Sequence, residues 1–172
     1  MESNLRIEIS ISEQTLRVLD AAGIVQASYP VSTALNGPGE NKSSGCTPRG
    51  RHIVRAKIGA GAPIGSVFVG RRTTGEIWSP ALAAEHPHRD WILTRILWLS
   101  GTEHGYNRLA NVDSMQRYIY IHGTPDDQPM GKPLSHGCIR MRNEDVITLF
   151  DFVPVGTEVH IHEQAFPETT RA

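Results

Sequence analysis

The chain has 172 residues, of which 39% are hydrophobic and 20% are charged. This length and composition are typical of one globular domain and exclude disordered and fibrous proteins. The 17 basic and 18 acidic residues leave a formal net charge of -1, which argues against nucleic acid or an anionic membrane as a partner of the whole domain. The two cysteines, Cys46 and Cys138, allow at most one disulfide, so the fold must depend on its hydrophobic core.

The start of the chain has no basic segment followed by an apolar one, so we expect no signal peptide. No apolar run approaches the roughly 20 residues that a membrane-spanning helix needs. We therefore expect a cytoplasmic protein with reduced thiols. A periplasmic location would follow if a leader had been removed from this sequence.

Alternating apolar and polar residues predict several strands in the first 70 residues. Residues 5–11 alternate strictly, with Leu5, Ile7, Ile9 and Ile11 on one face, which is typical of a half-buried strand. Residues 36–50 are rich in Gly, Ser, Pro and Asn, which predicts a loop. Further strands are predicted around Leu16 and Val18 and at residues 24–33, 52–58 and 66–70.

The second half of the chain predicts both strands and a helix. Residues 91–99 are apolar and fit either a short helix or a buried strand, whereas the β-branched and aromatic residues 117–121 predict a strand. A helix is predicted to begin at Asn143, an N-cap candidate, and to stop before Pro154. Residues 157–162 predict the last strand.

These elements predict one mainly-β domain with a few short helices over residues 1–162. Residues 163–172 are expected to form a loose tail. No internal repeat and no long linker divides the chain.

The segment with the most chemical potential runs from His122 to Arg140 and is rich in Gly and Pro, so it is predicted to be a loop. It contains Cys138, and a cysteine needs a base or a positive neighbour to attack as its thiolate. His136 and His122 are the candidate bases. Gly137 allows a tight turn with adjacent amide groups that suit an oxyanion, and Arg140 could pair with a substrate carboxylate.

Other interpretations of these residues stay open at this point. Cys46 is interpreted as an incidental core thiol, since cysteines in β domains are usually small buried residues. His122, His136 and Cys138 could together bind zinc, although the His-x-Cys spacing is short for a structural zinc site. Four further histidines are interpreted as surface residues, namely His86, His88, His160 and His162. Four aromatic residues are interpreted as core or pocket wall, namely Trp91, Trp98, Tyr118 and Tyr120.

The same segment resembles the active-site signature of YkuD-type L,D-transpeptidases. It contains His122-Gly123-Thr124 and, after a loop, Ser135-His136-Gly137-Cys138-Ile139-Arg140-Met141. The likeness extends along most of the chain, including residues 29–33, 47–50 and 117–121. The family pattern has Asn two positions after the cysteine, where this chain has Arg140, and the loop before Ser135 is on the short side.

The resemblance implies a β-sandwich of mixed sheets with the cysteine loop at one edge, in agreement with the predicted strands. It implies that Cys138 is the nucleophile and His122 the general base, held in orientation by the backbone carbonyl of Gly123. The amides of Gly137 and Cys138, together with His136, would form the oxyanion hole. No metal and no organic cofactor is implied. The residues expected to line the pocket and bind the substrate are Ser135, Arg140 and Tyr120.

The implied chemistry is acyl transfer on peptidoglycan stem peptides, in which Cys138 cleaves the bond between meso-diaminopimelate and D-Ala in a tetrapeptide. Because we expect no leader and no wall-binding module, we favour water as the acyl acceptor. The protein would then be an L,D-carboxypeptidase that acts on recycled muropeptides, without a nucleic-acid or membrane partner. The alternative is a periplasmic L,D-transpeptidase that forms cross-links or exchanges D-amino acids. Less favoured alternatives are a zinc-binding domain and a non-catalytic muropeptide-binding module.

Overall fold

Ten strands and two α-helices form the regular structure of residues 4–167, the part of the chain that this computed structural model describes. A short 3-10 helix spans Ala110–Val112. In chain order, the strands and α-helices are β1 (Arg6–Ser10), β2 (Thr15–Leu19), β3 (Val25–Pro30), β4 (Gly50–Ile58), β5 (Ser66–Val69), β6 (Arg72–Ile77), α1 (Pro80–Glu85), β7 (Ile92–Gly101), β8 (Tyr120–Gly123), β9 (Ile139–Met141), α2 (Asn143–Phe152) and β10 (Glu158–His162).

The strands form one mixed hydrogen-bonded network in the order β3-β2-β1-β10-β4-β7-β5-β6, and β8 pairs with both β7 and β9. The β1–β10 and β8–β9 pairs are parallel, and the other pairs are antiparallel. The prediction of a mainly-β fold with mixed strand pairing and a few short helices is therefore confirmed.

Strand β7 separates two hydrophobic clusters, because successive side chains of a strand point to opposite faces. Leu97 and Leu99 belong to the larger cluster, which also takes in side chains of β1, β2, β8, β9, β10 and α2. Ile96 belongs to a smaller cluster with Phe68 and Tyr120, against which Cys138 packs. The smaller cluster is thus where the core meets the cysteine loop.

The predicted strands of the first third are confirmed, and so is the strand interpretation of residues 91–99. Two elements of the middle region were not predicted, namely β6 and α1. Helix α1 is capped by Ser79, whose hydroxyl accepts a hydrogen bond from the Leu82 N–H at 3.1 Å. Its six residues contain no buried side chain, so they lack the apolar periodicity on which a helix prediction depends.

The strand predicted at residues 117–121 begins later than expected, at Tyr120. The Asp113 carboxylate accepts hydrogen bonds from the backbone N–H groups of Met115 and Gln116, at 3.0 and 3.4 Å. Tyr118 then takes a positive φ of 55°. This Asx-type turn replaces the first part of the strand, so the prediction was wrong for residues 117–119.

Helix α2 confirms the predicted helix, but its N-cap is Arg142 rather than Asn143. The Asn143 side chain is buried and bonds across the fold instead. Its amide donates to the carbonyl of Thr124 at 3.0 Å and to the carboxylate of Asp126 at 3.1 Å, and its Oδ1 accepts from the Thr94 hydroxyl. Asn143 therefore joins α2, β7 and the segment that follows β8.

The first residues of the predicted loose tail contact the rest of the domain. The Glu163 carbonyl accepts from the Ser12 N–H at 3.0 Å, and the guanidinium of Arg17 lies 3.9 Å from the ring centre of Phe166. Residues 1–3 and 168–172, on which part of the leader and tail predictions falls, lie outside the described residues. Neither α-helix between residues 4 and 167 is long and apolar enough to cross a membrane.

Leu97→Ala should reduce the free energy of unfolding by about 2–5 kcal/mol, because Leu97 is fully buried in the central strand and its truncation leaves a cavity. Leu35→Ala is the matched control, since the Leu35 side chain is 67% exposed, and we expect a change within about 0.5 kcal/mol. Urea unfolding followed by circular dichroism measures both. Equal losses in the two variants would contradict this description of the core.

Candidate active site

The candidate site lies where β8 and β9 run side by side. The two strands are parallel, with Ile121 opposite Ile139 and His122 opposite Arg140. This register places Cys138, the residue before β9, next to Tyr120, whose backbone N–H donates to the Cys138 Sγ at 3.3 Å. The histidine and the cysteine of the motif, although 16 positions apart in number, are thereby brought to the two neighbouring strands of this pair.

The Cys138 thiol is half-buried and takes part in two hydrogen bonds. Besides accepting from the Tyr120 N–H, its Sγ donates to the carbonyl of Tyr118 at 3.3 Å. Burial disfavours the charged thiolate and raises the pKa of Cys138 to about 12, an effect that the Tyr120 N–H and nearby arginines only partly offset. The resting cysteine is therefore a neutral thiol at neutral pH.

His122 is almost fully buried at the end of β8, with 1% of its surface exposed. Its Nδ1 lies 2.6 Å from the carbonyl oxygen of Gly123. Since a carbonyl only accepts, Nδ1 carries the proton and Nε2 is the basic nitrogen. Nε2 has no hydrogen-bond partner among the described residues. Burial also lowers the pKa of His122, so the imidazole is neutral at neutral pH.

His52 shows what a purely structural histidine looks like in this fold. Both of its ring nitrogens are hydrogen-bonded, Nδ1 to the Gly50 carbonyl at 3.1 Å and Nε2 to the Ser114 hydroxyl at 2.8 Å. Burial lowers the pKa of His52 to about 4. Because both nitrogens are occupied, His52 has no basic nitrogen available for proton transfer, in contrast to His122.

Gly123 has no room for a side chain. A Cβ at this position would lie 2.6 Å from the Leu93 carbonyl oxygen and closer still to the Asn143 Oδ1. Because Gly123 supplies the carbonyl that orients His122, the tight packing around it also fixes the imidazole.

Hydrogen bonds inside the cysteine loop determine where its amides point. The Ser135 hydroxyl donates to the Cys138 carbonyl at 2.6 Å and accepts from the Gly137 N–H at 3.2 Å. Gly137 has a φ of 134°, and a Cβ there would lie 3.2 Å from the Cys46 carbonyl oxygen. In this structure, the Gly137 N–H predicted as an oxyanion donor is thus bonded to Ser135. The oxyanion role of Gly137 and Cys138 stays a prediction.

The predicted side chains His136 and Arg140 are both associated with Asp90. The His136 side chain is 77% exposed, and its Nδ1 lies 3.7 Å from an Asp90 carboxylate oxygen. The Arg140 side chain is 12% exposed, and its Nη2 lies 3.2 Å from the other oxygen. Arg140 therefore already has a carboxylate partner from within the protein.

A cavity of about 460 Å³ joins most of the predicted site residues. Gly123 and Gly137 are not among the residues that line it. The lining residues that the sequence predicted are Cys138, His122, Ser135, His136, Arg140, Tyr120 and, as pocket wall, Tyr118. Those that it missed as site residues are Phe68, Gly70, Arg71, Asp90, Ile92 and Ile96. The sequence carried no signal for Arg71 and Asp90, because each lies in a short connection with no motif around it.

The loop predicted at residues 36–50 is hydrogen-bonded to the cysteine loop and to Arg117. Arg117 donates to the Cys46 carbonyl at 2.7 Å and to the Glu40 carbonyl at 3.1 Å. The Thr47 hydroxyl donates to the Gly137 carbonyl at 2.8 Å. The Cys46 backbone thus contributes to these hydrogen bonds. The Cys46 side chain is free and only half-buried, and it belongs to neither hydrophobic cluster described above, so its interpretation as a core residue was wrong.

The zinc alternative is not supported by the geometry. Among the described residues, the side chains whose ligand atoms come together are Glu8, His160 and His162, on β1 and β10, and not His122, His136 and Cys138. The Glu8 carboxylate is already paired with Arg17 at 3.0 Å and with a second guanidinium, that of Arg6, at 3.3 Å.

A family model described as the L,D-transpeptidase catalytic domain, YkuD, matches residues 4–161. The chain belongs to the YkuD family of L,D-transpeptidase catalytic domains. The resemblance of the His122 and Cys138 motifs to that family is thereby confirmed.

Individual relatives agree with this family. The putative L,D-transpeptidase YkuD of Bacillus licheniformis is 29% identical over 157 residues, which cover 91% of this chain and 64% of that protein. The probable L,D-transpeptidase YbiS of Escherichia coli K12 is 46% identical over 54 residues, 31% of this chain and 18% of that protein. The aligned part of the chain therefore spans less than two thirds of either relative.

Solved structures show the same fold. The crystal structure of L,D-transpeptidase 3 from Mycobacterium tuberculosis with a faropenem-derived adduct has a TM-score of 0.57 at 18% identity, covering 94% of this chain and 61% of that one. An L,D-transpeptidase from Mycobacterium smegmatis has a TM-score of 0.54 at 21% identity, and the match covers 95% of this chain and 59% of that one.

The raised pKa of the Cys138 thiol predicts how its alkylation by iodoacetamide depends on pH. In Cys46→Ser protein, the rate constant should keep rising above about pH 9, because a thiol whose pKa is raised from its ordinary value of about 8.5 ionises only at higher pH. N-Acetylcysteine provides the matched reference, and Cys138→Ser gives the background. A plateau near neutral pH would instead indicate an imidazolium–thiolate pair.

Gly123→Ala should destabilise the protein by about 1–3 kcal/mol, because the new Cβ overlaps two neighbouring oxygens. We also expect loss of the slowly exchanging Nδ1–H signal of His122 in the proton NMR spectrum. In Gly61→Ala, the Cβ would meet no atom within 4 Å, so only the smaller cost of a positive φ applies. An unchanged His122 signal in Gly123→Ala would contradict the orienting role of this glycine.

Proposed function

We propose that the protein catalyses cysteine-dependent acyl transfer on peptidoglycan stem peptides. The observation that carries this proposal is the arrangement of His122, whose Nδ1 is bonded to the Gly123 carbonyl and whose Nε2 is unpartnered, in one cavity with the Cys138 thiol. Membership of the L,D-transpeptidase family supports the substrate class.

In the proposed reaction, His122 Nε2 takes the proton from Cys138 Sγ as the sulfur attacks the carbonyl carbon between meso-diaminopimelate and the terminal D-Ala. The resulting imidazolium then gives the proton to the departing D-Ala nitrogen, and a thioester remains on Cys138. Because both groups are neutral at rest, the proton moves during the attack rather than before it. Burial makes both charged forms unfavourable, so the separated ions do not accumulate.

The second step of the reaction transfers the acyl group from Cys138 to an acceptor. We keep water as the acceptor, which makes the protein an L,D-carboxypeptidase acting on soluble muropeptides, and the cytoplasm is then the proposed location. The second candidate is transfer to an amine, either a second stem peptide or a D-amino acid. One observation favours it: a neighbouring cavity of about 350 Å³ shares Asp90, His136 and Arg140 with the Cys138 cavity, which leaves space for a second peptide beside the thioester.

The direct test is release of D-Ala from a synthetic tetrapeptide, measured with purified protein. We expect Cys138→Ser to abolish release and His122→Ala to reduce it by about 10²–10⁴-fold, the usual contribution of a general base. Cys46→Ser is the control that removes the other thiol, and it should keep full activity because only the Cys46 backbone supports the site. Undiminished release by the Cys138 variant would refute the mechanism.

The same assay with a D-amino acid or a second stem peptide added separates the two acceptors. Mass spectrometry of the products would show a tripeptide alone for hydrolysis, and an exchanged or cross-linked peptide for transfer to an amine.

A further inference from the structure

Arg71 is a cationic residue of the Cys138 cavity to which the mechanism above gives no role. It lies in the two-residue turn between β5 and β6, where Val69 pairs with Arg72. Arg71 lines the same cavity as Cys138 and His122.

Aromatic rings and one hydroxyl hold the Arg71 guanidinium. Its Cζ lies 4.6 Å from the ring centre of Trp98 and 4.9 Å from that of Tyr118. Its Nη1 donates to the Tyr120 hydroxyl at 3.0 Å. Such contacts orient a guanidinium without neutralising it, so the positive charge remains available to a ligand.

The two arginines of the cavity differ in this respect. Arg140 is paired with Asp90 at 3.2 Å, whereas Arg71 forms no ion pair with any carboxylate among residues 4–167. A guanidinium has five N–H donors in a planar fork that matches a carboxylate, and the one directed at Tyr120 leaves others free. Arg71 is therefore the better suited of the two to receive an anionic group.

The backbone at Arg71 gives a second, independent observation. Gly70 and Arg71 both have positive φ, 57° and 65°, as a type I′ turn requires. At the second turn position Gly or Asn is preferred, and an arginine there is strained. Local stability would favour glycine, so the presence of arginine points to a role for its side chain.

We propose that Arg71 binds a carboxylate of the peptide substrate in the Cys138 cavity. This inference rests on the proposed function, since a stem peptide is what supplies carboxylates there. Tyr120 connects the two parts of the site, because its hydroxyl accepts from Arg71 and its backbone N–H donates to the Cys138 Sγ at 3.3 Å. A carboxylate held by Arg71 would thus be fixed relative to the nucleophile.

A stem tetrapeptide offers three such groups: the terminal carboxylate of D-Ala, the free carboxylate of diaminopimelate and the α-carboxylate of the glutamate. Three tetrapeptides, each with one of these groups converted to an amide, distinguish them. The wild type should lose about tenfold to a hundredfold in kcat/KM on one analogue, the range expected for a hydrogen-bonded charge pair.

Arg71→Met removes the charge and keeps the length of the side chain. It should lose about the same factor on the unmodified tetrapeptide and no longer distinguish it from that amide. Arg71→Gly should show the same kinetics while retaining cooperative thermal unfolding, because glycine suits the turn. Arg72→Met is the matched control, since Arg72 is exposed and lies outside the cavity, and it should behave as the wild type.

Three outcomes would overturn the proposal. If Arg71→Met keeps the wild-type preference for the acid over the amide, Arg71 does not bind the carboxylate, although the proposed function stands. If Arg71→Gly loses activity on all four peptides together with its cooperative unfolding, the arginine only stabilises the hairpin. If the wild type releases no D-Ala from any peptide, the proposed function fails, and the role of Arg71 fails with it.

Discussion

The parallel pairing of β8 with β9 is the constraint on which the rest of the site depends. Parallel strands are usually joined by a long crossover, and here the connection is the loop that carries Ser135 and Cys138. The register is fixed by the opposition of Ile121 and Ile139, both fully buried in the larger cluster. A slip of β9 by one residue would turn Ile139 out of the core. The hydrophobic effect thus holds the cysteine beside β8, without a direct bond between nucleophile and base.

Burial has two effects on this site. It removes His122 from water, so the Nδ1 proton bonds to the Gly123 carbonyl instead and Nε2 is left as the base. It also lowers the pKa of His122 and raises that of Cys138, so both groups rest in their neutral forms. The site is therefore organised for charge that develops in the transition state rather than for charge that is present at rest. The Tyr120 N–H can stabilise negative charge on the sulfur, whereas the Tyr118 carbonyl accepts from the neutral thiol and holds its resting form.

Much of the fold and the centre of the site could be predicted from sequence, and the failures have physical causes. Strict alternation identified β1, and Tyr120 and Ile121 identified β8. Both faces of these strands are buried in the fold, including Glu8 and Ser10 on the polar face of β1, so the expectation of a half-buried first strand was wrong. Strand β9 was missed because three residues in a Gly-rich loop give no periodicity, and its pairing with β8 depends on distant residues. Asn143 suggested a cap by its type, but in the fold its amide bonds to the Thr124 carbonyl. Cys138 and His122 were found by motif, whereas Asp90 and Arg71 were not, because no local pattern marks a residue that acts through tertiary proximity.

The two arginines of the cavity differ in whether a carboxylate of the protein pairs with them. Asp90 contacts both Arg140 and His136, so the wall shared with the neighbouring cavity carries compensating charges. Arg71, in the turn between β5 and β6, is instead surrounded by Trp98, Tyr118 and Tyr120, which bring no carboxylate to pair with it. An anionic ligand in this cavity would therefore find an uncompensated positive charge at Arg71 and a compensated one at Arg140. Because the Tyr120 hydroxyl accepts from Arg71 and its backbone N–H donates to the Cys138 Sγ, an anion bound at Arg71 would be connected to the nucleophile through a single residue.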